Sequence, residues 1–308
     1  MTRVAWALDD VEPAPSVVTI GFFDGVHRGH QTLIRRAVRE AEDRGVRSVA
    51  VTFDRHPAEV VRPGSQPRYL QHRDRKVATL VDQGVDLVLV LAFDLERSQQ
   101  PPQEFISTVI AGPLQARKVI VGTNFRFGHK AAGDVVMLAD QGSALGYETE
   151  AMSLLHLGDT PISSTEVRSH LEAGDVAWAA EALGRPFVVE GAVVRGDGRG
   201  RSIGIPTANV QVDERLQVPA GGVYAATASV LGAPTDHPAV VNIGTRPTFG
   251  GETVTVEAHL LDTDLDLYGT RLVLSFVDRI RDERRFDGPD ELVAQIRRDI
   301  DTARSRLA

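Results

Sequence analysis

The chain contains no cysteine. Disulfides, iron–sulfur clusters and thiolate zinc sites are thereby excluded, and the composition is compatible with a reducing cytosol, so cytoplasmic residence is expected. No apolar run approaches the roughly 18 residues that a membrane-spanning helix requires. The opening segment, MTRVAWALDDVEPAP, is acidic and lacks the apolar core of a secretory signal, so export is not expected. Basic charge is scarce: 34 Lys and Arg stand against 42 Asp and Glu, a net charge of −8. No Lys/Arg stripe with interleaved aromatics offers the counterion release that holds a nucleic-acid backbone, so nucleic acid is not an expected partner. Any anionic ligand must be small and held locally. What is present, 42% hydrophobic and 25% charged residues over 308 positions, describes an ordinary globular chain of roughly two domains. Self-association as a homo-oligomer is left open.

The first half alternates short apolar runs with helical patterns. Val17–Ile20, Ser48–Phe53, Asp86–Leu91, Lys118–Val121 and Tyr147–Met152 read as strands. Between them Gln31–Arg44, Arg73–Gln83, Gln103–Gly112 and Gly133–Leu145 carry apolar residues at helical spacing. Such alternation predicts an α/β domain, a parallel sheet covered by helices on both faces. Two further helices, Thr165–Glu172 and Val176–Leu183, lead to LGRPF, whose glycine and proline end a helix and start a linker. Beyond it the chain changes character. Val188–Val194, Gly222–Val230, Ala239–Ile243, Thr253–Leu260 and Leu272–Val277 are strands at short intervals, a meander suited to a small antiparallel barrel. A last helix, Pro289–Arg306, has Leu292, Val293, Ile296 and Ile300 on one face and should pack against that barrel. Two domains are expected, at 1–184 and 185–308.

Val17–Val38 reads VVTIGFFDGVHRGHQTLIRRAV, a strand passing through glycines into a helix. His27 and His30 could be zinc ligands, a pair of core residues, or a device for handling phosphate. Zinc needs three or four protein ligands, and no second His pair stands at a regular spacing. Position favours phosphate, because ligands of an open parallel sheet sit beyond the C-terminal strand ends. Gly21 and Gly25 let the backbone approach a ligand, and Gly29 precedes a helix whose free N–H groups attract anions. A helix dipole contributes only ~0.3–1 kcal/mol, whereas enzymatic transfer needs a barrier lowered by at least ~8 kcal/mol. Extra donors are therefore required, and His27 and His30 can supply them to charge developing on phosphorus.

GFFDGVHRGH resembles the HxGH signature of the nucleotidylyltransferase superfamily, in the form used by its flavin-adenylating branch. NFRFGHKAAGD (124–134), TFDRHP (52–57) and ISSTEVRSHL (162–171) accompany it. Together with the second-half motifs below, they make the whole chain similar to the prokaryotic bifunctional riboflavin kinase/FMN adenylyltransferase family, also called FAD synthetase. The resemblance implies a Rossmann-like N-terminal domain with His27 and His30 on the ATP phosphates. It places Gly21, Asp24, Gly25 and Gly29 in the same nucleotide-binding loop, although Asp24 could equally orient that loop or hold a metal-bound water. Ser163, Ser164, Thr165 and Arg168 correspond to a phosphate-binding segment, and Asn124 to a nucleotide or flavin contact. By their own chemistry the serines and threonine also suit a plain helix cap, and Arg168 suits a phosphate clamp. His56 suits a ligand role and a turn at a strand end equally. Phe125 and Phe127, expected partly exposed in a glycine-bearing loop, would offer aromatic faces to flavin, the other reading being an ordinary surface loop with its phenylalanines folded under it.

In the second half, GDGRGRSIGIPTANV (196–210) fits neither generic phosphate loop. Gly196 and Gly198 would need a glycine at Arg201 for a Rossmann fingerprint, and a Walker A loop would need another residue and a lysine. Thr207 and Asn209, at alternate positions of an extended segment, put a hydroxyl and an amide oxygen on one side. These are hard ligands suited to Mg²⁺. The stretch resembles the PTAN motif of riboflavin kinases, which implies that Thr207 and Asn209 bind Mg²⁺ and ATP, with Gly204 in the flap before them. TVTVEAHLLD (253–262) resembles the strand that carries the kinase base, implying that role for Glu257; by pattern alone Glu257 is a solvated acid on a strand. VVNIGTRPTFG (240–250) is also present, and the resemblance implies that Asn242, Gly244 and Arg246 shape the flavin or nucleotide pocket, without individual roles. The implied chemistry is phosphorylation of riboflavin to FMN, then adenylylation of FMN to FAD, both from ATP. A monofunctional adenylyltransferase with a flavin-binding barrel and a flavin-storage protein are the rivals.

Overall fold

The computed structural model describes residues 2–196, 200, 204–248, 251–263 and 265–308. Its contacts divide the chain into two compact units, Met1–Ser164 and Thr165–Ala308. The first is built on a six-stranded, all-parallel sheet: β1 (Arg3–Ala5), β2 (Ser16–Ile20), β3 (Arg47–Phe53), β4 (Leu87–Leu91), β5 (Ala116–Gly122) and β6 (Glu148–Met152), in the order β1-β4-β3-β2-β5-β6. β2 (SVVTI) and β4 (LVLVL) are buried along their whole length. That is the cost-free state of an apolar run only where helices cover both faces. Alternate residues serve opposite cores. Val18, Ile20, Val49 and Val51 pack with Phe105, Val109 and Leu138, while Ala50, Val88 and Val90 pack with Ile34, Val77 and Leu80.

The helices of this unit are α1 (Arg28–Arg44), α2 (Pro57–Val61), α3 (Arg73–Val81), α4 (Leu95–Gln99), α5 (Pro102–Phe105, running on into a wider turn at Ile106–Ile110) and α6 (Val135–Leu145). α1 buries Ile34, Ala37 and Ala41, and ends at Gly45, which takes the left-handed conformation (φ 62°) that glycine adopts most easily. A two-residue hairpin, β7 (His156–Leu157) with β8 (Thr160–Pro161), precedes α7 (Ser164–Glu172).

In the second unit α7 is followed by α8 (Val176–Leu183) and by six strands: β9 (Phe187–Val194), β10 (Ala208–Gln211), β11 (Gly222–Val230), β12 (His237–Thr248), β13 (Gly251–Leu260) and β14 (Arg271–Arg281). They close an antiparallel barrel in the order β10-β13-β12-β11-β14-β9. α8 packs on β14 and β9, so both linking helices belong with the barrel by contact, while the change of fold class falls at β9. Along each strand the inner and outer walls alternate. Tyr224 and Phe276, edge to face at 5.3 Å, are fully buried. On the opposite face of β11, Val223 and Ala225 join Val240 and Leu261 under the final helix α9 (Pro289–Leu307), through Ile300, Ala303 and Leu307.

The expected architecture is the one found: α/β unit, small antiparallel barrel and C-terminal helix. α9 departs from its expected use in one respect. Only its second half covers the barrel; Leu292 and Ile296, from the same apolar stripe, line a cavity instead.

Candidate active sites

The cavity of about 360 Å³ lies on the outer wall of the barrel. Antiparallel register builds its polar side. Asn209 on β10 stands opposite Glu257 on β13, and Glu257 stands opposite Asn242 on β12. Directly opposed residues share a face, so three neighbouring strands present Asn, Glu and Asn in a row, and all three line the cavity. Val256 and Ala258, flanking Glu257, point into the barrel core and lock its orientation. Thr207 lies just before β10 and lines the same cavity. His259 donates from Nδ1 to the Pro206 carbonyl at 2.7 Å, which ties the strand bearing Glu257 to the segment bearing Thr207. Phe286, Leu292 and Ile296 form the apolar wall opposite. The Arg281 guanidinium makes a forked pair with Asp299, Nε to Oδ2 at 3.0 Å and Nη2 to Oδ2 at 2.8 Å, and so fixes α9 to β14.

Two glycines allow the approach to this wall. A Cβ on Gly196 would fall 2.2 Å from the Asn209 amide, and one on Gly200 would fall 2.3 Å from the Ile205 carbonyl and 3.2 Å from Thr207 Oγ1. Asp197–Arg199 and Arg201–Ile203, the rest of the expected flap, lie outside the described residues, as does the side chain of Arg246. Gly204 is exposed and left-handed (φ 76°).

In the first unit the strand order reverses between β2 and β5. Loops leaving the C-terminal ends of such a pair enclose the crevice where open α/β sheets bind ligands. The loop after β2 ends at His27 and leads into the first turn of α1, which carries His30; the loop after β5 carries Asn124 and Phe125. His27 caps α1, its Nδ1 accepting from the His30 backbone N–H at 3.3 Å. The two imidazoles stack at 3.6 Å with planes 19° apart, an arrangement that does not converge on a shared ion. Gly29 makes the stack attainable, since a Cβ there would meet the His27 ring at 3.1 Å. Burial, with the His27 ring and the Lys76 ammonium beside it, holds the His30 imidazole well below its ordinary range. His30 is therefore neutral at pH 7 and keeps one N–H donor. Ser164 Oγ donates to the Asp24 carbonyl at 2.9 Å, fastening the start of α7 to this loop.

The model of the FAD synthetase family matches residues 9–166, and that of the riboflavin kinase family matches residues 183–307. The bifunctional riboflavin kinase/FMN adenylyltransferase of Escherichia coli strain K12 is 40% identical over 94% of this chain and 91% of its own length. The enzyme of the same description from Bacillus subtilis strain 168 is 35% identical over 94% and 91%. The chain belongs to the bifunctional riboflavin kinase/FMN adenylyltransferase family. It phosphorylates riboflavin and adenylylates the FMN so formed, with ATP as the donor in both steps. A solved structure described as a macrolide-efflux protein from Streptococcus pneumoniae superposes with a TM-score of 0.89, at 31% identity and 98% of both chains. Among the described residues no helix is long and apolar enough to cross a membrane.

Within this bifunctional family frame, several side chains stand differently from expectation. Asp24, placed in the nucleotide-binding loop with loop orientation and a metal-bound water as its open readings, is 3% exposed, and both carboxylate oxygens accept the Leu70 N–H, at 3.1 and 3.2 Å. This contact ties the loop to Leu70, which agrees with the loop-orienting reading of Asp24. Phe127, expected partly exposed, is buried against Phe105 at 5.9 Å and packed on Gly133. Phe125 stacks on it at 5.5 Å and keeps the partial exposure expected of it. His56 caps α2 by accepting the Ala58 N–H at Nδ1 (3.1 Å), the reading of a turn residue. Ser163 and Ser164 fall in the first unit and Thr165 and Arg168 in the second, Thr165 exposed and Arg168 half-buried on α7. Sequence reasoning missed Lys76, a buried cation next to the histidine loop, and gave His259 no role; Asn242, expected to help shape a flavin or nucleotide pocket, lines the cavity. The signal for Lys76 was present: it lies four residues before the buried Leu80, on the apolar stripe of α3.

Proposed function

We propose the following division of labour. Residues 185–308 perform the kinase step and residues 1–184 the adenylylation. In the kinase cavity the Glu257 carboxylate takes the proton from the terminal ribityl hydroxyl. A bond forms between that oxygen and the γ-phosphorus of ATP, and the bond from the γ-phosphorus to the bridging oxygen breaks, releasing ADP. The Thr207 hydroxyl and the Asn209 amide oxygen would hold Mg²⁺. Both are hard oxygen donors, and the cradle over them, which a Cβ at Gly196 or Gly200 would fill, fits a metal-bound phosphate chain. Bound there, the ion supplies charge neutralisation on the phosphates. Phe286, Leu292 and Ile296 offer an apolar wall to the isoalloxazine.

In the adenylylating site an FMN phosphate oxygen bonds to the α-phosphorus of ATP as the bond to pyrophosphate breaks. The N–H groups of His27 and His30 receive the charge that develops, while Gly21, Gly25 and Gly29 let the backbone come close. Ser163, Thr165 and Arg168 bind phosphate, and Asn124 and Phe125 meet the flavin, with Phe127 supporting Phe125 from below. Nucleic acid takes no part. The cytoplasm, which supplies ATP, is the compartment in which we place the enzyme.

The observation that carries the kinase assignment is the Asn209–Glu257–Asn242 row on one cavity wall. Reciprocal variants test the whole scheme by chromatography of flavins. Glu257→Gln should slow FMN formation by about 10²–10⁴ and leave adenylylation of supplied FMN intact. His30→Ala should do the reverse. Loss of both activities from either single change in folded protein would overturn the assignment.

A further inference from the structure

The loop after β2 is held in a conformation that side chains rarely adopt. Phe23 (φ 56°), Gly25 (φ 76°) and Val26 (φ 42°) are all left-handed. For a β-branched residue such as Val26 this is an outlier, and it persists only when neighbours over-determine it. Lys76 is one of those neighbours. From α3 its ammonium donates to the Phe22 carbonyl at 3.1 Å and to the Phe53 carbonyl at 2.8 Å, and it lies 4.0 Å from the centroid of the Phe22 ring. Phe53 ends β3 and Phe22 follows β2, and these strands are neighbours in the sheet. One buried side chain, 3% exposed, thus joins the carbonyl ends of the two strands from which the histidine loop and the Asp54–His56 turn depart.

We propose that Lys76 is a positioning residue for adenylyl transfer, an internal cation that fixes the ends of β2 and β3 beneath the His27–His30 turn and sets the charge environment of that turn. This rests on the reading of that turn as the adenylylating site. A neutral amide would satisfy two carbonyls without burying a charge, so holding them does not by itself call for lysine. The groups facing the ammonium are Asp24 from the histidine loop, Asp54 from the turn after β3, Arg73 from its own helix, and His30. Burial pushes the Lys76 ammonium down to about 8, against the pull of Asp24 and Asp54, which leaves it charged at neutral pH. Its charge then adds to burial and to His27 in keeping His30 uncharged. A neutral donor favours charge as it develops, whereas an imidazolium would bind ground-state ATP and departing pyrophosphate as firmly as the transition state.

The test uses the full chain carrying Lys76→Met or Lys76→Arg, with His30→Ala in parallel. Three quantities are read: kcat and KM for FAD formation from FMN, riboflavin phosphorylation by the same preparation, and the His30 ring titration by NMR. Lys76→Met should lower kcat for FAD formation about tenfold to a hundredfold, leave phosphorylation unchanged, and move the His30 midpoint up. Lys76→Arg, which keeps the charge, should hold the midpoint low and recover part of the rate. Should Lys76→Met fail to fold, Lys76→Gln is read in the same way. A wild-type kcat, or a slowed enzyme whose His30 midpoint has not moved, overturns the proposal. If His30→Ala itself makes FAD at the wild-type rate, the reading of the site has failed; if it does not and Lys76→Met is unimpaired, only the role of Lys76 has.

Discussion

Asp299 is 2% exposed and yet carries a carboxylate, which only the forked Arg281 guanidinium and the Gln295 amide at 2.7 Å make tolerable. Removing one partner of such a pair strands the other charge, at a cost of about 3–5 kcal/mol. Asp299→Ala should therefore lower unfolding free energy by that amount in urea denaturation of the barrel, and should weaken riboflavin binding, because α9 supplies a cavity wall. Lys76 gives a second single-residue prediction, in pH. Its folded value of about 8 lies below the ordinary 10.5, so between these the unfolded chain binds the proton and the native chain does not. The stability contributed by neutral Lys76 is complete above pH 10.5 and is lost as pH falls to about 8. Over that window wild type should gain roughly 3 kcal/mol relative to Lys76→Met, the equivalent of 10.5 − 8 = 2.5 pH units. A difference flat with pH would show that the ammonium is not desolvated. His30 behaves in the same sense at lower pH, its stability falling as pH drops below about 6.5.

At the level of elements, Gly29 decides how α1 begins. A Cβ there meets the His27 ring at 3.1 Å, and that ring must move. Alanine is otherwise the better helix former by about 1 kcal/mol. Gly29→Ala should thus keep or raise the melting temperature while slowing FMN adenylylation about tenfold or more, since small misplacements of catalytic groups are costly. A fall in melting temperature with unaltered rate would contradict this. The same scale shows what was legible in the sequence. The central strands of the sheet were plain, because parallel strands buried on both faces must be continuously apolar. β1, α2, α4 and the β7–β8 hairpin were not, for each is two to five residues long, too short for any period to register. Motif residues were located, but their orientation was not. Whether Asp24 faces phosphate or Leu70, and whether Phe127 faces flavin or Phe105, depends on segments distant in sequence. Lys76 was passed over because an isolated lysine in a helix is usually solvated. The Asn209–Glu257–Asn242 row needed strand register, which no spacing within one strand encodes.

For the molecule as a whole, the compact units divide at Ser164/Thr165, while the two family matches meet between residues 166 and 183. α7, bearing Ser164, Thr165 and Arg168, begins at that division. In the proposed scheme the two sets of functional side chains share no residue, and the two chemistries differ: a carboxylate base for a hydroxyl in one, uncharged imidazoles over an anionic nucleophile in the other. Nothing in either mechanism requires FMN to remain bound to the chain that made it. The most direct measurement is complementation between separately purified variants. Glu257→Gln and His30→Ala are mixed with riboflavin, ATP and Mg²⁺, and the flavins are chromatographed over time. Each variant alone should yield no FAD from riboflavin, whereas the mixture should form FMN first and then FAD. A mixture of folded variants that accumulates FMN without FAD, or leaves riboflavin untouched, would contradict two independent active sites on one chain.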